Sequence, residues 1–204
     1  MIVRAVTSHD IELAVEALQS AFRGDPMIGF LFGNGWEVKP YVSEFFRILL
    51  DVRVTFGMPA FCVEENGDIL GAVMGYDASR PAWERGQREK WTALMQAVEG
   101  LELRLGAYGE LAEKFEPPEK HFYLGVIGVL GGKKGAGIGG ALLERFCDAS
   151  ARDTESCGVY LETASEASLR FYLKNGFVLR GEGILGKDTS LWCVFKATGH
   201  GAAT

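Results

Sequence analysis

The sequence lacks the patterns that indicate a metal-binding, disulfide-stabilised or membrane-spanning protein. It has only 4 cysteines and 3 histidines in 204 residues. The cysteines form neither a CxxC pair nor a Cys/His spacing typical of metal sites. We therefore expect no metal, and thiols that are reduced and mostly buried. The apolar run from Phe122 to Leu130 is too short to cross a bilayer.

Positive charge is also scarce, because 21 Lys and Arg against 27 Asp and Glu give a formal net charge of -6. Such a surface disfavours nucleic acid and anionic membranes as partners, and it suits a cationic or amine substrate. Residues Met1 to Val6 indicate a strand rather than an export signal, so we expect a cytoplasmic protein. A hydrophobic share of 48% is typical of a globular chain, here one domain over residues 1–204.

What the sequence does have is a glycine-rich loop between an apolar run and an amphipathic segment. Phe122 to Leu130 contains only apolar residues and glycine, which is typical of a strand covered on both faces. From Ile138 onward, apolar residues recur at helical spacing. The loop between them would present backbone N–H groups at the positive end of a helix. This stretch therefore predicts an anion site of the kind that binds phosphate.

Gly135, Gly137 and Gly140 also match the dinucleotide-binding fingerprint, with Glu162 as its acidic residue. In that fold the strand runs almost directly into the first glycine, whereas residues 131–134 intervene here. About 40 residues follow Glu162, too few for the further units of a doubly wound sheet. A P-loop would need Gly-Lys-Ser/Thr, which is absent. A nicotinamide-dependent reductase remains as a third-ranked alternative.

The same loop resembles the acyl-CoA signature Gln/Arg-x-x-Gly-x-Gly/Ala of the GNAT superfamily of N-acetyltransferases. Residues 134–139, KGAGIG, fit it with lysine in the first place. Residues 159–163, VYLET, are similar to the family's fifth strand, and residues 171–177, FYLKNGF, to its F-Y-x-x-x-G-F segment. The three segments occur in the family's order, and the resemblance covers about residues 120 to 196.

The resemblance implies an α/β fold: a mixed sheet of six or seven strands with helices on both faces. The fourth and fifth strands would be parallel and splay apart to admit an acyl-CoA arm. Gly125 and Gly128 agree with this, because glycines inside strands mark bulges or close backbone approach. Residues 120–196 would form the cofactor-binding and catalytic half of the domain, and residues 197–204 a frayed tail.

Acetyl-CoA is the cosubstrate that the resemblance implies. Ile127 and Val129 would offer backbone groups to its pantetheine amides, as an added strand does. Where the family often has an asparagine that holds the CoA arm, the chain has Ser165 and Ser168. The full set of expected cofactor-binding residues is Ile127, Val129, Lys134, Gly135, Ala136, Gly137, Ile138, Gly139, Gly140 and Ser168.

Acetyl transfer from a thioester to an amine requires the amine in its neutral form. An amine with a pKa of ~10.4 is neutral in only about one molecule in 2,500 at pH 7, so a base or a desolvating pocket must cover about 4.6 kcal/mol. The family often carries a Glu on the central strand, but Phe122 to Leu130 has no carboxylate. The candidates for the base, acting directly or through water, are Glu162, preferred, and His121, Glu64 and Glu65.

Tyr172 stands where the family has a tyrosine as general acid for the departing thiolate. A thiol has a pKa of ~8.5 and a tyrosine of ~10, so full proton transfer to the thiolate is uphill in water. The hydroxyl would therefore act by hydrogen bonding to the sulfur within the transition state.

The remaining patterns predict the elements around this half. Strands are expected at residues 2–6 and in a hairpin that turns at Asn66-Gly67, and helices between residues 11 and 22, from about 40 to 52, and twice between 91 and 115. The apolar residues 23–36 predict a covering loop.

The leading hypothesis for function is transfer of an acetyl group from acetyl-CoA to a primary amine, by direct attack. The acceptor would be a small molecule or a peptide terminus. The alternatives are a non-catalytic acyl-CoA binding or sensing module and the nicotinamide-dependent reductase. The apolar stripe within residues 91–115 is typical of a core face, and it is also a candidate for a substrate pocket or a homodimer contact.

Overall fold

The computed structural model describes residues 1–35, 37–133 and 135–198. The strands are β1 (Ile2–Ala5), β2 (Ala60–Glu65), β3 (Asp68–Tyr76), β4 (Phe122–Val129), β5 (Gly158–Thr163), β6 (Val178–Leu185) and β7 (Thr189–Ala197). The helices are α1 (Ile11–Ala21), α2 (Pro26–Phe32), α3 (Lys39–Thr55), α4 (Arg85–Ala97), α5 (Leu101–Glu113), α6 (Ile138–Arg152) and α7 (Glu166–Lys174).

Two predictions concern residues that the structure does not describe, or describes only in part: the cofactor-binding role of Lys134 and the tail at residues 197–204. Lys134 lies outside the described residues, as do residues 199–204 of the expected tail. Ala197, which was also assigned to that tail, is instead the last residue of β7 and pairs with Gly158. The N–H of Thr198 donates to the carbonyl of Cys157 at 3.3 Å. The strand thus continues further than the glycine-containing end of the sequence indicated.

The seven strands form one mixed sheet in the order β1-β2-β3-β4-β5-β7-β6. Among the described strands only β4 and β5 are parallel neighbours, while the other neighbouring pairs are antiparallel. This confirms the expected mixed sheet. A doubly wound dinucleotide-binding fold requires consecutive parallel strands, so this sheet removes the structural basis of the reductase alternative.

The parallel strands β4 and β5 separate soon after they start. Their pairing consists of Phe122 with Val159 and Tyr123 with Tyr160, and β4 then continues alone on that side. The expected splay is therefore confirmed. Gly128 allows α1 to pack closely against β4, since a Cβ on this residue would lie only 2.8 Å from the Cβ of Ala21 in α1.

A β-bulge in β4 reverses its side-chain alternation. Met74 faces Val126 and Gly75 faces Leu124, which leaves Gly125 as the extra residue. Leu124 packs with the α6 side of the sheet, and Val126 packs with the α1 and α3 side, although an uninterrupted strand would put both on one face.

Helices cover both faces, as expected. The apolar residues of α6 pack on one face and those of α1 and α3 on the other. The prediction of a loop over residues 23–36 was wrong for Pro26–Phe32, which form α2. Asp25 caps this helix by accepting hydrogen bonds from the N–H groups of Met27 and Ile28. Pro26 suits the first turn of that helix. None of the described helices has the length and apolarity needed to cross a bilayer.

Candidate active site

A cleft of about 620 Å³ opens where β4 and β5 separate. Its walls come from β4, the glycine-rich loop, the first turn of α6, the end of β5 and α7, with α1, α2 and α5 contributing from the first half of the chain. Most of the expected cofactor-binding residues line it: Ile127, Val129, Gly135, Gly137, Ile138, Gly139, Gly140 and Ser168. Ala136 is exposed in the loop and does not line the cleft.

The backbone of β4 presents hydrogen-bonding groups to this cleft. The N–H of Leu130 donates to the carbonyl of Leu70 at 2.9 Å, so residue 130 points its backbone groups towards β3. Backbone direction alternates along an antiparallel pair, and the groups of Ile127 and Val129 therefore point away from β3. They face the gap left by β5, where an extended ligand with amide groups could pair as an added strand.

The start of α6 has the features of an anion site. The N–H groups of Ile138, Gly139 and Gly140 are in the first turn, where a helix has no internal acceptors for them. The loop reaches this turn through Gly137 at φ 80°, a left-handed conformation that glycine adopts without strain. These donors, with the positive helix end and Lys133 at the cleft wall, fit the phosphates of an acyl-CoA.

We expect Gly137→Ala to weaken acyl-CoA binding. Gly137 lines the cleft, and a Cβ there would strain the left-handed backbone that leads into the donors, at a cost of about 1 kcal/mol. Gly132→Ala is a matched control, since Gly132 has φ 84° and open space around it but does not line the cleft.

Both variants should lose similar thermal stability, and only Gly137→Ala should raise the Kd for CoA in a calorimetric titration. An equal Kd for the two variants would show that the start of α6 does not hold the phosphates.

Glu162 lies near the end of β5, on the wall of the cleft. Its Oε2 accepts hydrogen bonds from the hydroxyls of Tyr108 at 2.8 Å and Tyr123 at 3.0 Å. The two hydroxyls are themselves 2.8 Å apart. Tyr123 is in β4 and Tyr108 in α5, so groups from two other elements fix the carboxylate that β5 carries.

The two tyrosines were missed by sequence reasoning. The position of Tyr123 depends on a strand register that only the structure gives: it aligns with Tyr160 across the parallel pair, and Glu162 is two residues further on the same face. Tyr108 carries no signal either, because its position depends on how α5 packs over the sheet.

Burial raises the pKa of Glu162 to about 7, and the hydrogen bonds from Tyr108 and Tyr123 oppose that rise. A carboxylate with a pKa near the working pH is well matched to accept and release a proton. The geometry and the pKa together make Glu162 suitable as a general base.

The other candidate bases lie away from the cleft. His121 is buried, and its ring nitrogens are engaged: Nδ1 is 2.6 Å from the carbonyl of Glu119, and Nε2 is 2.9 Å from Glu116. Glu64 pairs with Arg4 at 2.7 Å, on the β1–β2 side of the sheet. Glu65 is 3.9 Å from the N-terminal amine. None of the three lines the cleft.

Tyr172 lies in α7 and lines the same cleft as Glu162. Its ring packs between Phe171 and Phe177, with centroids 5.5 and 5.6 Å away, which fixes its direction. Within the described residues its hydroxyl has no hydrogen-bond partner. Burial raises the pKa of Tyr172 most, and the negative charges of Asp25 and Glu162 raise it further. The phenol therefore stays protonated and can donate a hydrogen bond.

Ser165 holds the start of α7 in place, because its hydroxyl accepts from the N–H of Ser168 at 3.3 Å. The backbone N–H of Ser168 is thereby used within the helix, and its side chain remains at the cleft wall. In the described part of the chain, no three His, Cys, Asp or Glu side chains lie together as a metal site requires.

Comparisons with solved structures show the same fold at low sequence identity. A structure from Corynebacterium glutamicum, described as histone acetyltransferase HPA2 and related acetyltransferase, is 21% identical with a TM-score of 0.73, covering 98% of both chains. The polyamine N-acetyltransferase of Drosophila melanogaster is 20% identical with a TM-score of 0.60, covering 95% of this chain and 97% of that one. Arylalkylamine N-acetyltransferase 2 of Aedes aegypti is 15% identical with a TM-score of 0.63, covering 97% and 98%.

The sequence itself matches the family model of the acetyltransferase (GNAT) family over residues 18–177. That range contains the end of α1, all of α2 to α7, the cleft, Glu162 and Tyr172. Because the match extends over well more than half of the chain, the protein belongs to the GNAT family of acetyltransferases and is an acyltransferase.

Proposed function

We propose that the protein transfers the acetyl group of acetyl-CoA to a primary amine of a small molecule or a peptide terminus, by direct attack. The observation that carries this proposal is that Glu162 and Tyr172 line one cleft together with the free N–H groups at the start of α6. Residues 120–196 would form the cofactor-binding and catalytic half of a single domain over residues 1–204.

The residues of the cleft would divide the chemistry as follows. Glu162 accepts a proton from the acceptor amine, whose nitrogen forms a bond to the thioester carbonyl carbon. The carbon–sulfur bond then breaks, and the Tyr172 hydroxyl donates to the departing sulfur. Tyr108 and Tyr123 hold the Glu162 carboxylate in position through their hydrogen bonds. The products are the amide and the CoA thiolate, which the Tyr172 hydroxyl stabilises by a hydrogen bond, and the proton lost by the amine is on Glu162.

A small amine acceptor agrees with two further observations. The chain carries a net charge of -6, which favours the approach of cationic amines. Two proteins of the same fold are named for acetylation of polyamines and arylalkylamines.

We expect kcat/KM to rise with pH through about 7 and then to level off. Only the ionised carboxylate of Glu162 can accept a proton, and burial raises its pKa to about 7. The base is therefore inactive below that pH and active above it. The profile should be measured from about pH 5 to about pH 9 with an aromatic amine acceptor whose own pKa lies below this window. Glu162→Gln should remove the inflection near 7, and an unchanged inflection in that variant would assign it to another group.

Titration with acetyl-CoA, CoA and NADH, followed by a thiol-release assay across a panel of amines, tests the proposal. We expect binding of both CoA forms and thiol release with some amines. Binding of NADH without CoA would contradict the proposal. Binding of CoA without thiol release across the panel would favour the sensing module. The cytoplasmic location and a homodimer contact stay predictions.

A further inference from the structure

Arg53 is a buried cation without an acidic partner among the described residues. It lies in the last turn of α3 and is only 3% exposed. Its Nη1 donates to the carbonyl of Leu49 at 3.2 Å, and its guanidinium carbon lies 4.0 Å from the centroid of the Tyr76 ring. No described Asp or Glu forms a salt bridge with it. Its Nε is fully enclosed and has no hydrogen-bond partner.

A charge in this situation is unfavourable unless something of opposite charge joins it. Guanidinium has five N–H donors and stays protonated, and the contacts within the chain use one of them. Burial without a counter-charge costs free energy that neither a ring stack nor one carbonyl offsets. Nε is enclosed and cannot meet a ligand, but Nη2 is neither hydrogen-bonded within the described residues nor fully enclosed, so it is the donor that a carboxylate could reach.

The guanidinium of Arg53 lies beside Gly125, a residue of the cleft wall. Its Nη2 is 3.8 Å from the position that a Cβ on Gly125 would occupy. Gly125 lines the cleft, is the bulge residue of β4 and is itself exposed, while the ring of Tyr123 lies at 3.3 Å from the same Cβ position. Next to it, Tyr123 donates to Glu162, and the pKa of Tyr123 is raised by burial and by Glu162 but lowered by the charge of Arg53. Arg53 and Glu162 thus act on the same tyrosine.

We propose that the acceptor carries a carboxylate, which Arg53 binds beside Gly125 while the amine faces Glu162. The substrates would then be amino acids or other amines that bear a carboxylate. This inference rests on the proposed function and narrows its acceptor class. A carboxylate at this point supplies the missing counter-charge, and a neutral amine would leave Arg53 unpaired.

Matched pairs of acceptors test the inference directly. Each amino acid is compared with its decarboxylated amine, such as phenylalanine with phenethylamine and tryptophan with tryptamine, in the thiol-release assay. We expect at least one amino acid to exceed its partner in kcat/KM by on the order of 100-fold, because the partner leaves a buried polar group unpaired. Turnover of the decarboxylated amines at equal or higher kcat/KM would overturn the inference and leave the acetyltransferase proposal intact. If neither the amino acids nor their decarboxylated amines are acetylated, the result contradicts both this inference and the proposed function.

Arg53→Met tests the residue itself. It removes the charge and keeps a long apolar side chain, and replacing a buried charge in this way is often neutral or stabilising. We expect the preference for the carboxylated acceptor to fall to near one, mainly through a higher KM. Arg145→Met is the matched control: Arg145 also stacks on a ring, 4.3 Å from the centroid of Phe61, but it belongs to α6, which packs on the opposite face of the sheet from α3, so this variant should keep the preference.

Two outcomes of the Arg53→Met experiment would contradict the inference. An equal loss of kcat for both acceptors would show that Arg53 acts on acetyl transfer rather than on acceptor binding. An unchanged preference would show that it does neither. If the variant fails to fold, thermal unfolding of the unmodified protein with CoA decides: amino acids should raise its midpoint more than their decarboxylated partners, and equal shifts would overturn the inference.

Discussion

Tyr172→Phe should lower kcat by ~10²- to 10⁴-fold, the usual contribution of a general acid. The KM for acetyl-CoA should change little, because the hydroxyl would act mainly in the transition state. Stability should also change little, since the described residues give the hydroxyl no hydrogen bond to lose and the ring keeps its packing against Phe171 and Phe177. Steady-state kinetics and the thermal midpoint together check this.

Tyr160→Phe gives the opposite stability signature and serves as the comparison. The Tyr160 hydroxyl donates to the carbonyl of Ala112 at 2.7 Å in a fully buried position, so its loss should cost about 1 kcal/mol of stability. If Tyr172→Phe instead lowers the thermal midpoint as Tyr160→Phe does and leaves kcat unchanged under conditions where chemistry limits the rate, Tyr172 is a packing residue.

Glu162→Gln should reduce kcat/KM by ~10²- to 10⁴-fold when the acceptor is an alkylamine, which needs a base at neutral pH. The amide oxygen of the glutamine would still accept from Tyr108 and Tyr123, so the cleft keeps its shape but loses its proton acceptor. Glu64→Gln is the control, because Glu64 pairs with Arg4 outside the cleft and should not affect kcat/KM. Full activity of Glu162→Gln would show that water or another residue is the general base.

The same variant should be at least as stable as the unmodified protein at alkaline pH. The folded state raises the pKa of Glu162 to about 7, so between the unfolded value and 7 the folded state binds more protons than the unfolded state. Stability due to this group is complete at acidic pH and is lost as the pH rises through about 7. Glutamine carries no charge and avoids that loss. A thermal midpoint of Glu162→Gln below that of the unmodified protein at pH 8, but not at pH 5, would contradict the buried-carboxylate explanation.

Several local features were predictable because the residues that cause them are close in sequence. Asn66 and Gly67 adopt φ of 55° and 90°, which a tight hairpin requires, and the pair is the sequence signal for it. The glycine-rich loop likewise lies between β4 and α6, as the sequence predicted. For α2 the local signal was misjudged: Asp25-Pro26 is a helix start, but the apolar and glycine residues that follow are also typical of a covering loop.

The sequence by itself determined the order of the strands, the strand–loop–helix arrangement at β4 and α6, and most of the cleft residues on the β4, β5 and α7 side. These depend on hydrogen bonding and side-chain alternation within short segments. Only the tertiary structure decided which carboxylate has a raised pKa, that His121 contacts Glu116 and Glu119, and that Arg53 lies beside Gly125. Desolvation and charge pairing depend on groups distant in sequence, such as Tyr108 and Glu162, and only packing of the whole sheet brings them within hydrogen-bonding distance.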